Sequence, residues 1–316
     1  MKRWAVALFF LAPFVGEFLL GNQPIGKLGS IFLFAPMYGG GAVLIREVAR
    51  RYRLGWTGIV LMALAYGLLE EGPIDQMLFN PAYVGLDSFD GMAVIPGLGI
   101  SLTLLQGTVT LHTIWSICVP IALIEACAPR EPWLRRGGLI AVAAIFVVGS
   151  TLLGVMQAVG FHFVASPAEF AGSAVVILGL VTLAFVLGRR TPRPADGDVP
   201  RPLVVGLTGF ALTSVYWLES IVFPDANEWI SAAWWFVLFG VATAVVLRWA
   251  RRRTWTPRHT LALATGALLT YAWAGFSQAR ELDHPSFLGN AFFALVAVAL
   301  AIFVWHRNPA RPVPPT

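Results

Sequence analysis

The sequence predicts an all-α fold, a polytopic transmembrane helix bundle of about ten spanning helices with both termini cytoplasmic. Three observations predict it. Only 12% of the 316 residues are charged and 57% are hydrophobic, where a soluble domain carries about 25% charge. Apolar runs long enough to cross a hydrocarbon core of about 30 Å recur along the whole chain, and the mean hydropathy is +0.73. The basic residues fall in alternate connections, as they do when every run crosses.

The runs lie near 4–20, 31–48, 56–71, 98–127, 138–163, 170–187, 203–223, 229–250, 260–277 and 289–305. A signal-peptide reading of the first is set aside. Met1-Lys2-Arg3-Trp4 suits one, but no small-residue cleavage site follows, and Gly16-Glu17-Phe18 is a poor substitute. The second run holds Tyr38-Gly39-Gly40-Gly41, whose glycines allow close helix approach. The third ends on Glu70-Glu71-Gly72-Pro73. The fourth and fifth are long enough to tilt, and Pro120 removes a helix hydrogen bond from the fourth. Before the sixth, Ser166 and Glu169 have capping-box spacing, with Pro167 at the first helical position. The tenth run is short, near the lower limit for a spanning helix.

With the N-terminus inside, 20 of the 22 Lys and Arg lie in cytoplasmic segments, and only Lys27 and Arg280 fall outside. This bias sets the orientation and supports the span count, because losing one span midway would scramble it. The expected location is the cell membrane. A Pro-rich linker, 191–202, separates a six-span half, 1–190, from a four-span half, 203–307, packed on it. The Pro-rich tail, 308–316, is expected to be disordered. Glu17 and Glu219 stand late in runs one and seven, and Tyr66 and Tyr271 match in runs three and nine, which outlines a parallel repeat of the kind found in transporters. The scattered basic residues give no nucleic-acid signature. Cys118 and Cys127, about 13 Å apart along one helix, are too distant for a disulfide.

Ionisable groups inside the runs carry the functional argument, since such groups face the bundle interior or water. At 1.5 Å per residue, Glu17, Glu70, His112 and Glu219 stand about 20, 21, 22 and 24 Å above the cytoplasmic face. That puts all four at one level in the outer third. Adjacent Glu70 and Glu71 cannot both ionise cheaply in low dielectric, so a proton or a cation must neutralise one of them. His112 is the natural partner, as proton acceptor or metal ligand, and a divalent metal at Glu71 and His112 is one option. Thr108 and Ser116, at i−4 and i+4, share its helix face. Asp75 follows the pair. The outer segment 72–97, with Met77, Leu78, Phe79, Tyr83 and Leu86, is expected to lie on the interface or fold back over the bundle. Glu47 is expected to form a helix-surface ion pair with Arg50 and Arg51, and Glu125 to pair with the Arg-rich loops. His259, His284 and His306 lie outside the runs and are expected to be solvated. The sequence contains no nucleophile elbow, Walker loop, HExxH or Cys-rich metal pattern.

A Glu-Glu pair on one membrane helix, a histidine on the next and another further on resembles the CPBP intramembrane protease family, which includes the CAAX prenyl proteases. Glu70-Glu71 stands for its EExxxR motif, His112 for FxxxH and His162 for HxxxN or HxxxD, over roughly residues 56–170. Asp75 replaces the arginine, Thr108 the phenylalanine and Ser166 the closing Asn or Asp. By the same rise per residue His162 stands about 36 Å up, at the outer interface. The resemblance implies glutamates and histidines activating water for peptide hydrolysis within the membrane.

Three functions therefore stand open: an intramembrane hydrolase using Glu70, Glu71 and His112; a proton- or cation-coupled small-molecule transporter recruiting Glu17 and Glu219; and a non-catalytic scaffold whose acids hold helices together. The expected partners are the bilayer and a membrane peptide or small molecule, with no nucleic acid.

Overall fold

A computed structural model describes residues 2–190, 194–223, 225–284 and 286–308. The expected disordered tail lies outside the described residues beyond Asn308, as do residues 191–193 of the linker. The described residues form eleven α-helices and no strand: α1 Lys2–Pro13, α2 Ile31–Arg51, α3 Gly55–Leu69, α4 Leu102–Leu111, α5 Val119–Cys127, α6 Arg136–Phe161, α7 Pro167–Gly188, α8 Pro202–Val222, α9 Glu228–Ala250, α10 Pro257–Glu281 and α11 Phe287–Arg307. Three π-helical segments complete the rods. Phe14–Leu19 continues α1, Glu70–Ile74 continues α3, and His112–Cys118 joins α4 to α5. The result is ten helical rods, one for each apolar run.

Eight of the rods are long and apolar enough to cross a membrane. The other two are α1 with its π-helical continuation, and α10. The reason is clearest at α10, which packs against α8, α11 and α5 and buries a face of Ala262, Ala264, Gly266, Ala267, Thr270, Ala274 and Gly275. A helix surrounded by protein needs small residues for close packing rather than bulky residues for lipid. The peripheral helices show the reverse. On α6, α7 and α9, Val147, Val148, Val175, Leu178, Ile230 and Val237 are exposed, the composition of a lipid-facing surface.

One core cluster joins α1, α2, α3 and α6 around Leu8, Met37, Ile59 and Leu153. A second joins the π-helical end of α1 to α5, α10 and α11 around Phe18, Leu123, Leu268 and Phe293. The transporter-like repeat is not seen in the packing. α1 packs mainly on α2, whereas its supposed counterpart α8 packs mainly on α10 and only lightly on α9.

The glycines of α2 do permit close approach. A Cβ on Gly39 would stand 1.9 Å from the carbonyl oxygen of Phe9, a backbone atom of α1 that cannot turn aside. Gly39→Ala is expected to destabilise by about 1–3 kcal/mol, the usual cost of overpacking. Gly172→Ala on α7, where nothing lies within 4 Å of the added carbon, is expected to cost nothing. Thermal unfolding of the two variants in detergent measures the contrast.

Two expectations are corrected at the helix ends. Glu47 is completely buried rather than on a helix surface. It pairs with Arg46 and Arg51, and it also accepts the backbone N–H groups of Trp133 and Leu134. His259 is buried rather than solvated, because its Nδ1 accepts from the Thr256 N–H and caps α10. The capping box at Ser166 and Glu169 is formed in both directions. Glu125 meets Arg46 and Arg50.

Candidate functional site

Glu17, the Glu70–Glu71 pair and His112 each sit on one of the three π-helical segments. A π-turn widens the helix by one residue and breaks the regular ladder, and such turns recur at functional sites. Local sequence accounts for two of them. Pro73 has no N–H to give, and the chain closes with Asp75 N–H donating to Glu70 O at 2.7 Å, five residues back. Pro120 likewise cannot donate, and Val119 N–H reaches back to Ile114 O.

His112 is the centre of the cluster. Glu71 Oε1 accepts from its Nε2 at 2.7 Å. On the other side of the ring, Ser116 Oγ is hydrogen-bonded to Nδ1 at 3.2 Å. Glu70 Oε2 lies 2.9 Å from Nδ1, close as a charge but poorly aligned as a hydrogen bond. All three ionisable residues are deeply buried, Glu70 at 1%, Glu71 at 5% and His112 at 7% exposure. Tyr38 and Tyr66 wall the imidazole, with ring centroids 5.8 and 6.2 Å away. The Tyr38 hydroxyl donates to Glu17 Oε1, which ties the fourth ionisable group to the same wall. Gly16 makes the fit possible, since a Cβ there would stand 2.9 Å from both Ser116 Oγ and the Tyr38 ring. Several buried oxygens have no hydrogen-bond partner within the protein: Glu70 Oε2, Glu71 Oε2, Tyr66 Oη and Thr113 Oγ1. Buried polar atoms are almost always satisfied, so Glu71 Oε2 and Tyr66 Oη, unpartnered beside the imidazole, suit bound water or a polar substrate group.

The remaining candidates divide. Ser116 joins the cluster. Thr108 is buried, but its hydroxyl donates to Leu104 O of its own helix at 2.9 Å. Asp75, just past the π-turn, accepts from Tyr83 Oη at 3.3 Å. Burial, then the neighbouring Asp75 carboxyl, push the Tyr83 phenol above its ordinary range, which keeps it a donor. Gln157 Nε2 donates to the same hydroxyl at 3.0 Å, and the Tyr83 ring stacks on Phe161. Leu78 and Phe79 pack with Phe163, Ala165 and Phe170. The segment after Glu71 thus folds back and docks on α6 and α7.

Glu219 and His162 do not reach the cluster. Glu219 accepts from Ser231 Oγ at 2.6 Å in a separate cleft. Between the two stand Trp115, stacked on Tyr271 at 4.3 Å, and Trp217, edge-on to both. Equal depth along the helices said nothing about direction around them. His162 is exposed at the left-handed C-cap of α6, and it makes no hydrogen bond or ion pair with the cluster. A metal at Glu71 and His112 does not fit these residues. Both ring nitrogens of His112 are engaged, and among the described residues no three His, Cys, Asp or Glu side chains are placed to hold an ion. Tyr38 is the site residue that sequence reasoning missed. A tyrosine opening a run of glycines on an apolar helix was the available signal.

A family model matches residues 6–311, nearly the whole chain. The chain belongs to an uncharacterized membrane protein family. It is therefore an integral membrane protein set in a lipid bilayer, as its apolar helices require. No curated protein and no solved structure matches it.

The Tyr38–Glu17 contact gives a stability test of this wall. Tyr38→Phe leaves a buried carboxyl without its donor and is expected to cost about 1–3 kcal/mol. Adding Glu17→Met removes the orphan and should recover most of that loss. A double variant less stable than Tyr38→Phe in detergent melts would show that the pair is not the source of the effect.

Proposed function

We propose that the protein is an intramembrane hydrolase whose Glu70, Glu71 and His112 activate water against an amide bond within the bilayer. One observation carries the reading. His112 is held between two glutamates, and Glu71, bonded to the ring through Oε1, keeps its Oε2 buried with no partner. Such an oxygen is a general base waiting for a proton. As the water oxygen bonds to the carbonyl carbon, Glu71 takes a proton from it. His112, whose Nε2 donates to Glu71 Oε1, holds that carboxylate in place for the transfer. The carbon–nitrogen bond then breaks, the proton passes from Glu71 to the leaving nitrogen, and a carboxylic acid and an amine remain. This chemistry resembles that of the CPBP proteases at their first two motifs, while His162 is left outside the site. In the same proposal the site lies in the outer third of the cell membrane, both termini are cytoplasmic, and the six-span and four-span halves pack as one bundle. The docked segment after Glu71 covers the site.

The test is hydrolysis in water enriched in oxygen-18. Purified protein in liposomes is incubated with transmembrane peptides, and new C-termini are read by mass spectrometry. Label in the products from wild type but not from Glu71→Gln supports the reading. No labelled product from wild type, or equal label from the variant, removes it.

A proton-coupled carrier is the second reading, favoured by the Glu17–Tyr38 pair standing against the His112 ring. It predicts proton movement with solute across sealed vesicles, lost in Glu17→Gln. The lack of a matching repeat in the packing weakens it.

A further inference from the structure

A second polar feature lies apart from the glutamate–histidine cluster. The N-terminal end of α4, the C-terminal end of α8 and the N-terminal end of α9 enclose a cleft of about 250 Å³. Two carboxylates line it. Glu219 accepts from Ser231 Oγ at 2.6 Å, and Glu228 Oε2 accepts from Thr103 Oγ1. Neither forms an ion pair among the described residues, and no Lys or Arg lines the cleft. Both are half-buried in a membrane-spanning protein, where charge without a counterion is costly. The other walls are aromatic: Tyr216, Trp217, Trp234 and Trp235. Carboxylates among aromatic faces are the chemistry that receives an ammonium group.

The cleft also has an apolar continuation. A groove of about 770 Å³ between α8 and α9 shares Glu219, Phe223, Ala226 and Trp234 with it. Val215, Leu218, Val222 and Ile230 line the groove, and the lipid-facing surfaces of α8 and α9 flank it. One exposed carboxylate, Asp225, stands at its edge. A polar cleft that selects a cation and opens into an apolar groove matches an amphiphile rather than a soluble cation.

We propose that this cleft holds the headgroup of a membrane lipid that carries an ammonium group, with an acyl chain of the same lipid in the groove between α8 and α9. Glu219 and Glu228 face the ammonium, and the tryptophans pack around it. The inference is independent of the hydrolase reading, since the wall of Trp115, Tyr271 and Trp217 separates the two sites.

Native mass spectrometry of the purified full-length protein in a neutral sugar detergent tests it. The probes are dioleoyl phosphatidylethanolamine, its N-acetyl derivative and dioleoyl phosphatidylglycerol. Wild type is expected to retain the phosphatidylethanolamine at least tenfold better than either of the others. Glu219→Gln with Glu228→Gln should abolish that preference, and Ala226→Trp, which fills the junction of cleft and groove, should abolish binding. The headgroup series on wild type decides the matter if the variants fail to fold. Equal retention of all three lipids overturns the proposal. So does saturation by soluble phosphocholine at the same concentration as by the lipid, because the groove would then contribute nothing.

Discussion

Glu71→Gln is expected to lower formation of the oxygen-18 product by about 10²–10⁴-fold, the usual contribution of a positioned acid–base group. His112→Ala should lose at least as much, because it removes the donor that holds Glu71 Oε1 and aims it. The double variant should be no worse than the poorer single one, since residues acting as a unit are not additive. Glu70→Gln should lose less, since its contact with His112 Nδ1 is a charge contact shared with Ser116 rather than an aligned bond. The scaffold reading predicts a different pattern. If the acids only hold helices together, the Gln variants should lower accumulation and unfolding temperature with no separate loss of product per folded molecule. Gln keeps the shape of Glu and removes a buried charge, so in a catalytic site it should leave stability unchanged or raise it. Product per folded molecule, measured beside the melting curve, separates the two.

The sequence carried the bundle further than it carried the site. Ten apolar runs became ten helical rods because length and apolarity suffice to make a membrane helix. Adjacent Glu70 and Glu71 pointed to a buried site because two carboxylates at a helix end need a partner, and His112 at equal depth is that neighbour. Depth is a single coordinate, however. Glu219 shares it and still belongs to another cleft, because α10 and an aromatic wall intervene. The π-turns were legible only in part. Pro73 and Pro120 announce broken ladders, but they do not say whether the helix kinks, widens or stops. In the sequence Tyr38 shows only as the start of a glycine run, and the reach of its hydroxyl to Glu17 depends on how closely α1 and α2 pack. Glu47 misled for a related reason. The spacing to Arg50 and Arg51 is that of a surface pair, and only the return of residues 129–134 over α2 buries it.

That return sets up the second large effect. Arg46→Ala is expected to destabilise the protein by about 3–5 kcal/mol, the usual cost of breaking a buried ion network by removing one member. Arg46 is fully buried, and each of its three nitrogens donates. Nε reaches Glu125 Oε1 at 2.9 Å, Nη1 reaches Glu47 Oε1 at 2.8 Å and Glu131 O at 2.9 Å, and Nη2 reaches Pro129 O at 3.0 Å. Its guanidinium carbon lies 3.5 Å from the centre of the Trp133 ring. Removing it takes a donor from two carboxylates and two carbonyls at once, although Glu125 keeps Arg50, Glu47 keeps Arg51 and two backbone N–H groups, and Pro129 O keeps the Trp133 indole N–H. Arg46→Lys should fare little better, because one ammonium cannot reproduce a planar fork across four acceptors. Arg50→Ala should cost less than half as much. Arg50 is part-exposed, and Glu125 keeps Arg46 when it is gone. Replacing Arg46, Glu47 and Glu125 together by Met, Leu and Leu should recover part of the loss, as apolar replacement of buried ion groups often does. It should not recover all of it, because the Trp133 and Leu134 N–H groups would then lose their acceptor in Glu47. Melting curves of the four variants in one detergent give the order directly. An Arg46→Ala protein as stable as wild type would mean that the loop 128–135 holds to α2 without its arginine.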